Sequence, residues 1–146
     1  MQHKLVSSEA NKRTFILVLA PGEEAFATIT AFAERERISG ASLTALGAFE
    51  RAKIGWFDLE SRQYHPIYVN EQAEVLSIIG DIAIGDNGNP TLHMHTVLGL
   101  KDGTTRGGHL MEGIVRPTLE VILAETEQHL RRRQRPEFGI ALIDLS

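Results

Sequence analysis

The sequence predicts an α+β (α/β) domain: a central, mainly antiparallel β-sheet of about seven strands with one principal helix. Three observations lead there. Apolar residues fall at helical spacing in EEAFATITAFAERERI, where Phe26, Ile29, Phe32 and Ala33 make one stripe. Most of the remaining chain is a succession of short runs rich in strand formers, broken by turn signals. Two of those runs flank Asp102-Gly103, a dipeptide favoured in type I′ hairpin turns.

The elements follow in order. RTFILVLA (13–20) reads as a strand that Pro21-Gly22 stops. Glu23 and Glu24 suit the positive end of the helix that follows, which should end before Gly40. ASLTALGAF (41–49) and AKIGWFDL (52–59) read as two strands divided by Glu50-Arg51. QYHPIYV (63–69) contains Pro66, which cannot donate to a ladder, so an edge strand or a bulge is expected. EVLSIIGDIAI (74–84) is a long strand with Gly80 as a bulge position, and DNGNP (86–90) is a turn. TLHMHTVLGL and TTRGGHL form the arms of the Asp102-Gly103 hairpin. IVRPTLEVILAET (114–126) fits a strand or a helix: Val121, Ile122 and Leu123 favour strand, and the following ETEQHLRRR favours a helical turn. FGIALIDL (138–145) is a last strand, and residues 1–11 form a flexible or edge segment.

A length of 146 residues suits one domain, 1–146, with a core of useful size. Hydrophobic residues are 42% and charged residues 23%, as in a globular chain. The absence of cysteine excludes disulfides and thiolate metal sites and fits a reducing compartment. MQHKLVSSEANKR lacks the apolar core of a secretory signal, and no apolar run approaches the roughly 20 residues that span a bilayer. A cytoplasmic location, away from membranes, is the resulting expectation. The formal net charge of −4 and the pI of about 5.8 argue against a stand-alone nucleic-acid binder.

The chemistry concentrates in LHMHTVLGLKDGTTRGGHL, residues 92–110. Strand side chains alternate faces, so His93 and His95 share one face while Leu92, Met94 and Leu98 point to the core. A two-residue loop at Asp102-Gly103 would place His109 opposite Thr96, on the wrong face. A one-residue bulge at Gly107-Gly108 would set it opposite Val97, with the other two histidines. The expected product is a three-imidazole cluster suited to zinc, with a fourth position open to water or substrate. The plainer alternative is a pair of histidines on polar surface.

Glu74 and Glu120 each lie beside or within an apolar run, and a carboxylate there needs a partner. Each is a candidate base or orienting acceptor for a ligating imidazole, with an ion pair to Arg13, Arg106 or Arg116 as the alternative. Arg13 and Arg106 are candidates to receive a small anion. His65 is expected in a loop or edge, His129 on a solvated helical face and His3 in a frayed terminus; Trp56 and Phe57 are expected in a core or interface. RRRQRP (131–136) suggests nucleic acid, but it lacks the central glycine of an AT-hook and follows acidic ETEQ, so a solvated helix end is the expectation.

Taken together, these motifs resemble the PPC domain, the plants and prokaryotes conserved domain. LAPGEEAFATITAFAERERISGASLTALGAF resembles its opening strand, Pro-Gly-Glu turn, helix and second strand. AEVLSIIGDIA, NPTLHMHTVLGLKDGTTRGGHL and PTLEVIL resemble, in order, its Glu-Ile-Leu-Ser-Leu-x-Gly segment, its Pro-x-x-His-x-His strand with Gly-Gly-His-Leu, and the strand carrying a glutamate. The resemblance implies a fold around a central antiparallel sheet and a homotrimer. It also implies a metal, zinc, at the clustered histidines, which maps onto His93, His95 and His109. Plant members of the family join this domain to AT-hooks and regulate transcription, so a DNA-binding or regulatory assembly module is the alternative. The hook itself is not in this sequence, and direct DNA binding is accordingly not expected.

Overall fold

A computed structural model describes residues 1–10 and 12–146. Nine strands and one helix run in the order β1 (Gln2–Glu9), β2 (Lys12–Leu19), α1 (Ala25–Glu36), β3 (Gly40–Asp58), β4 (Gln63–Val69), β5 (Ala73–Ile84), β6 (Pro90–Gly99), β7 (Thr105–Glu125), β8 (Arg131–Arg135) and β9 (Ile140–Asp144) among the described residues. All form one sheet, antiparallel apart from a single parallel bridge, Ile84 to Arg131. The expected α+β class with a mainly antiparallel sheet is therefore found.

The pairings close on themselves. β3 pairs with β5, β5 with β6, β6 with β7, and β7 again with β3. Two strands make this possible by their length: β3 has 19 residues and β7 has 21. Each shifts register repeatedly, which lets a long strand bend and change neighbours. The two strands expected at 41–49 and 52–59 are thus one. Glu50-Arg51 is not a loop; it falls at a register shift between Phe49 and Arg51. Gly80 carries no bulge either, since pairing runs unbroken through it, and β5 is instead irregular between Val75 and Ser77.

Helix α1 starts where the Glu24 carboxylate accepts from Phe26 N at 3.0 Å and Ala27 N at 2.6 Å. This satisfies two of the otherwise unpaired first-turn donors. Its end is Arg37, in the left-handed region at φ 56°. Ala25, Ile29, Phe32 and Ala33 are its buried face, and Phe26 packs at the core margin. The helix packs on β6 and β7. Full burial of Ile29 and Phe32 contributes about 1.5–3 kcal/mol each. Phe15, Leu17, Leu19, Leu43, Met94, Val121 and Leu123 complete the wall they pack into.

The terminal expectations are in part met and in part corrected. Residues 2–9 are a paired edge strand, one of the two forms expected for the N-terminal segment, but the His3 ring packs against Phe32 at 5.2 Å rather than fraying. IVRPTLEVILAET resolves to strand, lying inside β7 as far as Glu125. No helical turn follows it: RRRQR is strand β8, paired with β9, and His129 lies in the connecting loop, its Nδ1 in contact with Ser39 Oγ. Alternation explains β8. Arg132 turns inward and is buried, while Arg131 and Arg133 face out.

Candidate metal centre

On β6 the alternation places Leu92, Met94, Thr96 and Leu98 in the core and leaves His93 and His95 on the other face. His109 joins them because it is the direct cross-strand partner of His95. The expected bulge at Gly107-Gly108 is absent: His95 to Gly99 pair in unbroken register with His109 to Thr105. The register change arises in the turn. Gly99, not Lys101, is the last β6 residue paired there, and its partner is Thr105. Leu100 N donates to Thr104 O at 2.9 Å, enclosing a three-residue loop that ends at Gly103 with φ 82°. A one-residue change in either direction moves His109 to the opposite face, and the left-handed glycine supplies it. Gly108 serves another purpose: a Cβ there would lie 2.6 Å from the Gly55 carbonyl oxygen, so it permits close approach of β3 and β7.

One ring nitrogen from each of His93, His95 and His109 lies within 4.8 Å of the others. His93 Nε2 and His95 Nε2 are 3.2 Å apart, a separation at which only one of them can carry a proton. Nδ1 of His109 is buried with no hydrogen-bond partner. Tyr64 packs against the His109 ring, centroids 4.9 Å apart. Burial, with help from the positive charge of the neighbouring His93, His95 and Arg132, pushes the His109 imidazole down to about 4. Burial and His93 likewise lower His95. Both rings are consequently neutral at pH 7, the form in which imidazole binds a metal.

A fourth group was not foreseen. Asp81 is the β5 partner of His93, and its Oδ2 lies 3.7 Å from His93 Nδ1. Its other oxygen, Oδ1, accepts from Arg132 Nη2. Burial raises the Asp81 carboxyl, but His93 and Arg132 outweigh it and hold it below the usual range. The signal lay in IIGDIAI, a carboxylate inside an apolar strand, the same pattern that singled out Glu74 and Glu120.

Those two glutamates are elsewhere. Glu74 pairs with Ala48 and Gly99, five positions along β5 from the residue opposite His95, or roughly 16 Å at strand rise. Glu120 pairs with Val18 and Leu46 in a shallow groove of about 420 Å³ with Ile16, Thr44 and Ile122. Arg13 is committed to carboxylates: Nε and Nη2 donate to Glu125 at 2.7 and 2.6 Å, and Nη2 also to the Glu36 carbonyl at 2.8 Å. Arg106 is exposed opposite Leu98, three positions from His109, and belongs to the other face. His65 lies on edge strand β4, 3.4 Å from Asp58 and packed on an exposed Trp56; Phe57 tilts against Tyr64.

The residues fit a divalent ion. Three imidazoles and no thiolate form a donor set suited to zinc, and an unpartnered buried ring nitrogen is a lone pair or proton lacking a companion.

Fold and site together define a class: a β-rich domain whose self-closing sheet carries a three-histidine cluster on its open face. Residues 6–127 match the Plants and Prokaryotes Conserved (PCC) domain, and the chain belongs to that family. The same fold is found in a plant- and prokaryote-conserved (PPC) protein of Pyrococcus horikoshii, 31% identical, with a TM-score of 0.84 over 98% of this chain and 94% of that one. A metal-containing protein of Archaeoglobus fulgidus is 29% identical, with a TM-score of 0.82 over 97% of both chains. A Ralstonia eutropha JMP134 protein, provisionally described as DNA-binding, is 26% identical, with a TM-score of 0.83 over 90% of this chain and 91% of that one. Among curated sequences, the bifunctional protein GlmU of Synechococcus sp. (strain JA-3-3Ab) is 27% identical over 124 residues, 84% of this chain. The chain spans 18% of that relative's length. Among the described residues no helix is long and apolar enough to cross a membrane.

Proposed function

We propose that the chain is a metal-binding member of its family, holding one zinc ion per chain on His93, His95 and His109. The observation that carries this is the convergence of one ring nitrogen from each of three imidazoles within 4.8 Å, together with a buried His109 Nδ1 that has no hydrogen-bond partner. The name of the Archaeoglobus relative adds weight. A bound divalent ion supplies Lewis acidity. The chain's own residues do the remainder. His95 and His109 are already neutral at pH 7, Asp81 faces His93 Nδ1, and Tyr64 packs against the His109 ring. Because the ligands are neutral imidazoles, the site keeps the full positive charge of the ion and suits a small anionic ligand, in the manner of a metal-dependent hydrolase or lyase. Arg13 and Arg106 have no part in holding that anion, for the reasons of placement above.

The same reading makes the chain a homotrimer. Support comes from the family resemblance and from an uncovered apolar face on which Leu46, Ile79 and Ile122 are 61, 66 and 52% exposed. A DNA-binding role draws on the name of the Ralstonia relative, but the arginine run does not support it. Arg132 is buried, and Arg133 and Arg135 are paired with Asp144 at 3.1 and 3.6 Å.

Elemental analysis of untagged protein after zinc loading tests the metal. About one zinc per chain is expected, with loss in His93→Ala and in His109→Ala. Less than a tenth of an equivalent, or retention in both variants, refutes the proposal.

A further inference from the structure

We infer that Arg132, on the C-terminal hairpin, is a positioning residue for the histidine cluster: it fixes Asp81 so that the free carboxylate oxygen sets the orientation and tautomer of His93. The hairpin β8–β9 begins beyond residues 6–127, the part of the chain that matches the family. It is anchored to β5 by the Ile84–Arg131 bridge, with Ile84 N donating to Leu130 O at 2.8 Å and Gln134 N to Asp86 Oδ2 at 3.1 Å. The next side chain, Arg132, turns inward over β5 and is only 7% exposed.

Its guanidinium is then held at two points. Nη2 donates to Asp81 Oδ1, and Nη1 donates at 3.4 Å to Thr91 Oγ1, which itself donates to the Ala83 carbonyl at 2.8 Å. A planar fork locked in this way leaves its carboxylate partner little freedom. Oδ1 is occupied, so Oδ2 is the oxygen presented to His93 Nδ1, across 3.7 Å. That gap lies in ion-pair range and exceeds a hydrogen bond. Small movements of Asp81 therefore decide whether the imidazole keeps its proton on Nδ1. With the proton there, the bare Nε2 of His93 faces His95, the side on which the cluster converges. An orienting carboxylate behind a ligating imidazole typically changes metal affinity about 10–100-fold.

A buried ion pair that merely holds the hairpin down is the competing explanation, and two readouts separate them. The first needs no metal. In zinc-free protein at pH 7.5, long-range ¹H–¹⁵N spectra should show His93 as the single Nδ1–H tautomer. Arg132→Gln should turn it into a mixture, and Arg132→Lys should restore it in part. The second readout rests on the zinc reading above. Zinc dissociation constants, measured by competition with a chelator, should rise about 10-fold in Arg132→Gln and 10–100-fold in Asp81→Asn. The double variant should be no weaker than Asp81→Asn alone, because Arg132 acts through Asp81. Should Arg132→Gln fail to fold, Arg132→Lys and Asp81→Asn carry both readouts. An unchanged His93 tautomer in a folded Arg132 variant, or additive losses in the double variant, overturns the inference. If the wild type binds no zinc, the metal proposal fails and the tautomer spectra still decide the role of Arg132.

Discussion

Acid should destabilise the metal-free protein through His109, by an amount the structure sets. Burial first, then the positive charge of His93, His95 and Arg132, hold this imidazole at about 4 instead of the ordinary 6.5. Between those two values the unfolded chain binds a proton that the folded chain refuses, so stability rises with pH across that window. The contribution is fully present above about pH 6.5 and is lost as the pH falls toward 4. At about 1.36 kcal/mol per pH unit the full span is worth about 3 kcal/mol. The face is open on one side, and solvent screening reduces this to about 2 kcal/mol. Urea unfolding of zinc-free protein at pH 7.5, 5.5 and 4 measures it. His109→Gln removes the titrating group, so its stability should fall less than the wild type's over the same range, by about 2 kcal/mol. His95 is lowered in the same sense and remains in both proteins. Parallel pH profiles for the two proteins would refute the reasoning, because the shift assigned to His109 would then have no energetic consequence.

Other outcomes follow from individual contacts. Gly108→Ala places a methyl 2.6 Å from the Gly55 carbonyl oxygen, so it should cost about 1–3 kcal/mol in thermal or urea unfolding and weaken zinc binding by moving His109. Phe49 is fully buried in the core, and Phe49→Ala should cost about 3–5 kcal/mol in the same unfolding assay without changing which residues hold the metal. Replacing Leu46 and Ile122 together by glutamate should convert the assembly to monomers in light scattering, and a wild type that already runs as a monomer would remove the trimer. Binding to duplex DNA at low salt should be absent, and a steep fall of affinity with salt would instead show a phosphate-contacting surface.

Much of this protein was legible in its sequence because the signals were local. The alternation of Leu92, His93, Met94 and His95 determines which face of β6 is apolar, whatever lies beyond the strand. The stripe Ile29, Phe32 and Ala33 determines the buried face of α1, and Pro66 correctly marked β4 as an edge strand, paired with β3 alone. Glycine at 103 foretold a turn, though not its type, and the register of His109 follows from that type. Two glycines at 107 and 108 suggested a bulge when their actual use, shown at Gly108, is close strand packing. Tertiary structure alone decided the rest. Arg132 comes to Asp81 across 51 residues of sequence, and Arg13 to Glu125 across 112, and no local pattern encodes a partner so remote. The sequence on its own determined that His93 and His95 would share a face, while the three-residue turn after Gly99 brought His109 to it. Only the register of β5 on β6 determined that Asp81 stands opposite His93, and only the β8–β9 hairpin brought Arg132 to it, since a carboxylate in an apolar run needs a partner but the run does not say which one.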